Sequence, residues 1–281
     1  MAHWVNNQGG VRPATVIING NTVATAPTTY TTIQSAINAT AIGDFVYITN
    51  GVYRNPAELT STNCSLFGTA QDLNLYLNVS DKTNITITSE TGNYCTSSAR
   101  LVGYGFDLNG GMGITIQGLE LDSVRVNAVW NSNCCSHLPS INVSIKNNHI
   151  SNTRGHGIKT DGLEDYIRTG WQITGNFFEN IGFYNGNGNC LTPFPSSALW
   201  LSNSTQFTIA NNIISNTKWA GILCDRFKTI TISGNRIDQT IDAGIQIGYP
   251  TTGDFNTQQN GANINNNKIT NANTSQKVFI G

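Results

Sequence analysis

Apolar and polar positions in this chain recur with a long period. Aligned on Leu119, Asn148, Asn176, Asn212, Asn235 and Asn267, the chain carries Ile116, Ile145, Ile173, Ile209, Ile232 and Ile264 three positions earlier. Two positions later stand Leu121, Ile150, Phe178, Ile214, Ile237 and Ile269. Nine and ten positions after the first five anchors come Ala128-Val129, Gly157-Ile158, Ala198-Leu199, Gly221-Ile222 and Gly244-Ile245, the third pair displaced by a 13-residue insertion. In a chain that is 38% apolar, a random six-member column is wholly apolar only about three times in a thousand. Several columns are so together.

The repeat length varies from 23 to 36 residues. Each unit holds three short apolar pieces, and within each piece apolar and polar positions alternate, the period of a strand. A single strand cannot bury its face alone, whereas unit stacked on unit can. The recurrent Asn falls between the first two pieces. There a short amide tolerates a left-handed bend and can hydrogen-bond the Asn of the next coil. The pattern predicts an all-β chain: a single-stranded right-handed parallel β-helix over residues 31–281, with residues 1–30 as an N-terminal extension or cap. A β-sandwich would need antiparallel hairpins and would not repeat one Asn column.

Composition narrows the partners. Charged residues are 11% of 281 and the net charge is −1, which gives no electrostatic case for nucleic acid or an anionic membrane. No 18-residue apolar run is present, so membrane insertion is not expected, and residues 1–30 show no signal-peptide pattern. The chain holds 38 Asn, 34 Thr and 20 Ser, a heavy turn-forming load. Its six cysteines are neither CxxC pairs nor zinc-spaced, and an even number in so polar a chain favours an oxidising, secreted or cell-surface setting. Cys134, Cys135 and Cys190 are expected to tie loops by disulfides, Cys64 and Cys95 to bridge adjacent coils, and Cys224 to be a buried free thiol.

The segments "ITGNFFENIG" and "ITISGNRIDQTIDAGIQIG" resemble the pectin-lyase-like family of right-handed β-helices. Thr32–Asn55, "TIQSAINATAIGDFVYITNGVYRN", is similar to that family's opening, a capping helix followed by a first strand and a Gly turn. The resemblance covers roughly residues 30–280 and implies the fold, with the insertion before Ala198 lying in the third turn of its coil. It also implies that the outer face of the strand after each Gly-Ile pair forms a substrate groove. One scaffold hosts many activities, so the chemistry must come from the residues.

On that strand the position after the inward aliphatic points out. The outward column reads Trp130, Lys159, Trp200, Leu223 and Gln246, and two earlier coils extend it with Asp107 and Tyr76. Aromatic faces along a groove suit sugar rings. "RGHGIKTDG" (residues 154–162) enters the same strand, bringing Arg154, His156, Lys159 and Asp161 to it as candidate catalytic residues. Lys218 shares Arg154's column, one long coil away, and Asp225 shares Asp161's.

Three chemistries fit these residues. A lyase on an acidic polysaccharide needs a base, for which Lys159 is the candidate, and a cation against the sugar carboxylate, for which Arg154 or Lys218 would serve. A calcium-assisted version would use Asp161, Glu164, Asp165 and Asp225 as oxygen ligands; otherwise no cofactor is required. A glycosidase would pair Asp107 with Asp161, at the outer limit of the required separation. "GHG" resembles the histidine motif of polygalacturonases, but their paired aspartates and R-I-K motif do not occur here, nor does the Asp-Pro-His-Asp signature of mannuronan epimerases. The expected function is binding, and lyase-type cleavage, of an extracellular polysaccharide. The rival is a non-catalytic structural or adhesive module assembling end to end or as a trimer, to which the final strand "KVFIG", without an evident cap, would lend open edges.

Overall fold

The computed structural model describes residues 2–5, 16–18, 21–24, 28–30, 32–55, 76–96, 99–131, 139–160, 167–183, 195–248, 261–272 and 278–280. Among them the chain winds eight coils, each laying one strand in each of three parallel sheets of ten, eight and nine strands. In the fourth coil these are Ser144–Lys146, His149–Thr153 and Ile158–Thr160. Every coil-to-coil pairing is parallel and in register, so Ile116 pairs with Ile145, Ile150 with Phe178, and Ile158 with Leu199. The apolar columns thus become three inward-facing rows lining one continuous core, including Ile145, Ile173, Phe178 and Ile222 at no exposure. Each such residue contributes roughly 1.5–3 kcal/mol by leaving water.

The Asn column forms a buried ladder. Nδ2 of Asn148 donates to Oδ1 of Asn176 at 3.1 Å, and the contact repeats from Asn176 to Asn212, Asn212 to Asn235 and Asn235 to Asn267. Each amide also donates to a first-sheet carbonyl of the preceding coil, such as Asn176 Nδ2 to Ile145 O at 2.8 Å. The ladder therefore satisfies polar backbone where the chain turns from first to second sheet. The left-handed residue is not the ladder Asn, as expected, but the one before it: Gly118, Asn147, Gly175, Asn211, Gly234 and Asn266, with φ from 53° to 69°. At Gly118 an added Cβ would also stand 2.3 Å from the Gly92 carbonyl carbon, so only glycine fits there. A second left-handed row follows four residues after the ladder, at Ser123, Asn152, Asn180, Asn216, Gln239 and Asn271.

The expected capping helix is Ile33–Asn38. Thr32 Oγ1 accepts from Ser35 N at 3.1 Å as its N-cap, and Ile33, Ala36 and Ile37 are buried against the first coil. Ala2–Val5 and Thr28–Tyr30 add two further strands to the first sheet beyond Phe45–Ile48. Among the described residues no helix is long and apolar enough to cross a membrane. The long insertion joins Phe177–Ile181 of the second sheet to Leu199–Thr205 of the third, as the pattern predicted.

Two cysteine expectations resolve differently. Cys224 is a buried free thiol on the inward side, as expected, and burial beside Asp225 pushes its thiol strongly upward. Cys95 is exposed and free, which corrects the expected bridge to Cys64: it lies in a turn on the surface. Cys64, Cys134, Cys135 and Cys190 lie outside the described residues.

Candidate functional site

The third sheet carries the outward column, and its register places Asp107 beside Trp130, Trp130 beside Lys159, Lys159 beside Trp200, Trp200 beside Leu223 and Leu223 beside Gln246. Successive members therefore sit about 4.8 Å apart along the axis. Tyr76 is not in this column. Its partner is Gly105, and Asn78 stands opposite Asp107 instead. The first coil lacks the Asn anchor, so its register was legible only to within the strand period. Tyr76 still reaches the face: Gly105 has no Cβ to block the ring, and the Tyr76 and Trp130 centroids are 5.3 Å apart.

Lys159 and Trp200 are in direct contact. Lys159 Nζ lies 4.9 Å from the Trp200 ring centroid, a cation over an aromatic face. His156 meets the same ring edge-on at 4.8 Å. Trp200 is fixed from its other end, where its indole N–H donates to Asp225 Oδ1 at 3.3 Å. Ser202 Oγ donates to Asp225 Oδ2 at 3.2 Å, and Arg226 Nε is 3.6 Å from that oxygen. Burial pushes the Asp225 carboxyl above its ordinary value, although Arg226, Ser202 and Trp200 pull the other way.

His156 is wholly buried, and burial together with the nearby Lys159 charge lowers its pKa to about 3. Its Nδ1 accepts the Ser197 N–H at 3.0 Å, which puts the proton of the neutral ring on Nε2. Its own N–H donates to Asn127 Oδ1 at 2.9 Å. Ser196 Oγ donates to the Arg154 carbonyl at 3.1 Å and Gly157 N donates to Ser197 O at 3.2 Å. The segment Arg154–Gly157 thus fastens the end of the long insertion to the preceding coil. His156 thus touches both Ser197 and Trp200.

The column is more covered than an open groove would be. Asp107, Trp130, Lys159 and Gln246 are each 6–8% exposed, while Trp200 is half-buried. Asp107 Oδ1 accepts from Asn109 N at 3.2 Å, a local turn contact. Lys218 does share Arg154's column, but two coils away rather than one, with Gly182 between them. It stands on the turn beside the sheet, its Nζ 4.0 Å from the Phe183 ring centroid. Asp161, Glu164 and Asp165 lie outside the described residues. Asp225 is the one member of the expected calcium set within the described residues, and its oxygens accept from Trp200 and Ser202, with Arg226 Nε 3.6 Å from Oδ2. Among the described residues no group of three His, Cys, Asp or Glu side chains converges as a metal site.

Trp219 was missed by sequence reasoning. Its ring is 5.7 Å from that of Trp200, edge to face, and its indole N–H donates to Asp242 Oδ2 at 2.9 Å. The available signal was positional. Phe183 and Trp219 both stand seven residues after a ladder Asn, aromatics at equivalent places in consecutive coils.

Three parallel sheets wound coil on coil around an aliphatic core define a right-handed parallel β-helix. No protein-family model and no curated protein matches the chain. Among solved structures it is similar to an alginate lyase from Paenibacillus sp. str. FPU-7, at 13% identity and TM-score 0.49, over 89% of this chain and 95% of that one. A rhamnogalacturonan lyase aligns at 13% identity and TM-score 0.46, over 95% of this chain and 62% of the other. A pectate lyase from Bacillus sp. N165, in complex with trigalacturonate, aligns at 14% identity and TM-score 0.45, over 98% and 83%.

Proposed function

We propose that the protein binds an acidic polysaccharide along the outward column of the third sheet and cleaves it by β-elimination. The observation that supports this reading is the sequence Trp130, Lys159, Trp200 in three consecutive coils, with the Lys159 ammonium against the Trp200 ring. Aromatic rings offer the apolar faces of sugars a partner, and a lysine between them offers a hydrogen-bonding cation or, deprotonated, a base. In the elimination Lys159 Nζ takes the C5 proton of a uronate. The C5–H electrons form the C4–C5 double bond, the C4–O4 bond breaks, and the departing O4 takes a proton from solvent. Arg154 is assigned to the carboxylate, whose acidity at C5 its charge would raise. His156 and Asp225 hold Trp200 in place. Such a polymer lies outside cells, so we infer an exported protein.

A structural or adhesive module is the second reading, favoured by the low exposure of Asp107, Trp130, Lys159 and Gln246. The two part on one experiment. The protein is run through gels containing acidic polysaccharides and incubated with the same panel, with and without calcium, while ultraviolet absorbance from unsaturated ends is followed. Retardation with rising absorbance supports the lyase, and retardation alone supports binding. Silence in both, with ordered particles by electron microscopy, supports the module.

A further inference from the structure

At the turn between the second and third sheets, side chains outside the column stack coil on coil. Register continues from Ile181, Thr217 and Thr240, so Gly182, Lys218 and Ile241 form one row and Phe183, Trp219 and Asp242 the next. Lys218 Nζ sits 4.0 Å from the Phe183 centroid one coil back, and Trp219 donates its indole proton to Asp242 one coil forward. Phe183, Lys218 and Trp219 are half-buried and Ile241 is 47% exposed. The Trp219 ring abuts Trp200, which makes this cluster continuous with the Lys159–Trp200 pair.

The arrangement repeats the chemistry of the column: an ammonium held over a ring, beside a tryptophan fixed by a carboxylate. Asp242 accepts from the Trp219 N–H, and among the described residues no carboxylate lies within ion-pair distance of Lys218. A cation held by a ring keeps its three donors for an anion. A tryptophan whose N–H is tied loses little freedom when a sugar stacks on it.

We propose that Lys218, Trp219 and Phe183 form a second binding subsite, which takes an anionic sugar unit next to the one at Lys159 and Trp200. The proposal rests on the polysaccharide-binding reading and deepens it: the ligand carries negative charge on at least two nearby units. Carboxylated and sulfated sugars share this chemistry.

The test is affinity electrophoresis in gels of polygalacturonate, alginate, a sulfated galactan and a neutral galactan, for the wild type, Lys218→Gln, Trp219→Leu and Trp219→Phe, with thermal unfolding alongside. Lys218→Gln is expected to weaken affinity for the retarding acidic polymer roughly tenfold at unchanged melting temperature, and Trp219→Leu similarly, with Trp219→Phe between. Which acidic gels respond identifies the anion as carboxylate or sulfate. Should Trp219→Leu not fold, Lys218→Gln and Trp219→Phe still decide. Wild-type affinity in Lys218→Gln and Trp219→Phe overturns the subsite and leaves polysaccharide binding standing. Retardation of the wild type by the neutral gel alone also overturns the subsite. A wild type retarded by no gel overturns both.

Discussion

Trp200 reaches from its own coil to the next and donates its indole proton to the half-buried carboxylate of Asp225, 3.3 Å away. The contact sets the angle of the ring on which Lys159 rests. It also keeps a carboxylate in a place where burial disfavours its charge.

Replacing that carboxylate by its amide should therefore stabilise the fold at neutral pH. The folded-state pKa of Asp225 is raised above the ordinary 3.8, so its contribution is fully present below that pH and is lost as pH rises through the folded value. Asp225→Asn still accepts from Trp200 and carries no half-buried charge. Melting temperatures across pH should show the variant gaining on the wild type as pH rises above 3.8, and matching it below. A variant that loses ground as pH rises contradicts this.

Asn176 accepts two bonds from Asn148 and gives two more to Ile145 and Asn212, all buried. Asn176→Ala removes the acceptor of both the Asn148 N–H and its Nδ2 and one donor to the Ile145 carbonyl, and should cost roughly 3 kcal/mol in denaturant unfolding. Asn267→Ala, at the ladder's described end, should cost about 1 kcal/mol. Equal costs would mean that the ladder does not act as a chain of dependent contacts.

His156 should stay neutral throughout the pH range in which histidines usually titrate. Its pKa falls from 6.5 to about 3, so its stabilising share is present above 6.5 and lost as pH falls toward 3. The imidazole resonances followed by NMR should not move between pH 8 and about 5. His156→Leu strands the Ser197 N–H and should cost about 1–3 kcal/mol, with a flatter acid limb.

The two described cysteines should differ in reactivity. Cys95 is exposed, whereas Cys224 is buried and its thiol is pushed upward by burial and by Asp225. Pulsed alkylation followed by peptide mapping should label Cys95 in the native protein and Cys224 only on unfolding. Native labelling of Cys224 would contradict its inward placement.

The coil was legible because one constraint, burial on three stacked faces, repeats eight times and leaves Ile, Leu and Asn in fixed columns. Reading could place Trp130, Lys159 and Trp200 side by side because each follows an aligned Gly-Ile or Ala-aliphatic pair. It could not place Tyr76, whose coil has no Asn to anchor it and whose strand admits a slip of two. It put the left-handed bend on the ladder Asn because asparagine tolerates that conformation, whereas the structure uses the preceding Gly or Asn and keeps the ladder amide for its neighbours. The Trp200–Asp225 and His156–Ser197 bonds join residues 25 and 41 positions apart, which no local pattern encodes. Trp219 was hidden for another reason: its place after the ladder is shared only with Phe183, two coils being too few to make a column.

The most direct test of the central claim compares the wild type with Lys159→Gln on whichever acidic polysaccharide retards the protein. The initial rate of ultraviolet absorbance is measured, with affinity determined in parallel. The account predicts product from the wild type and a loss of at least a hundredfold in rate for the variant, with the melting temperature little changed. An unaltered rate in Lys159→Gln, or a wild type that neither binds nor degrades any acidic polymer, would contradict it.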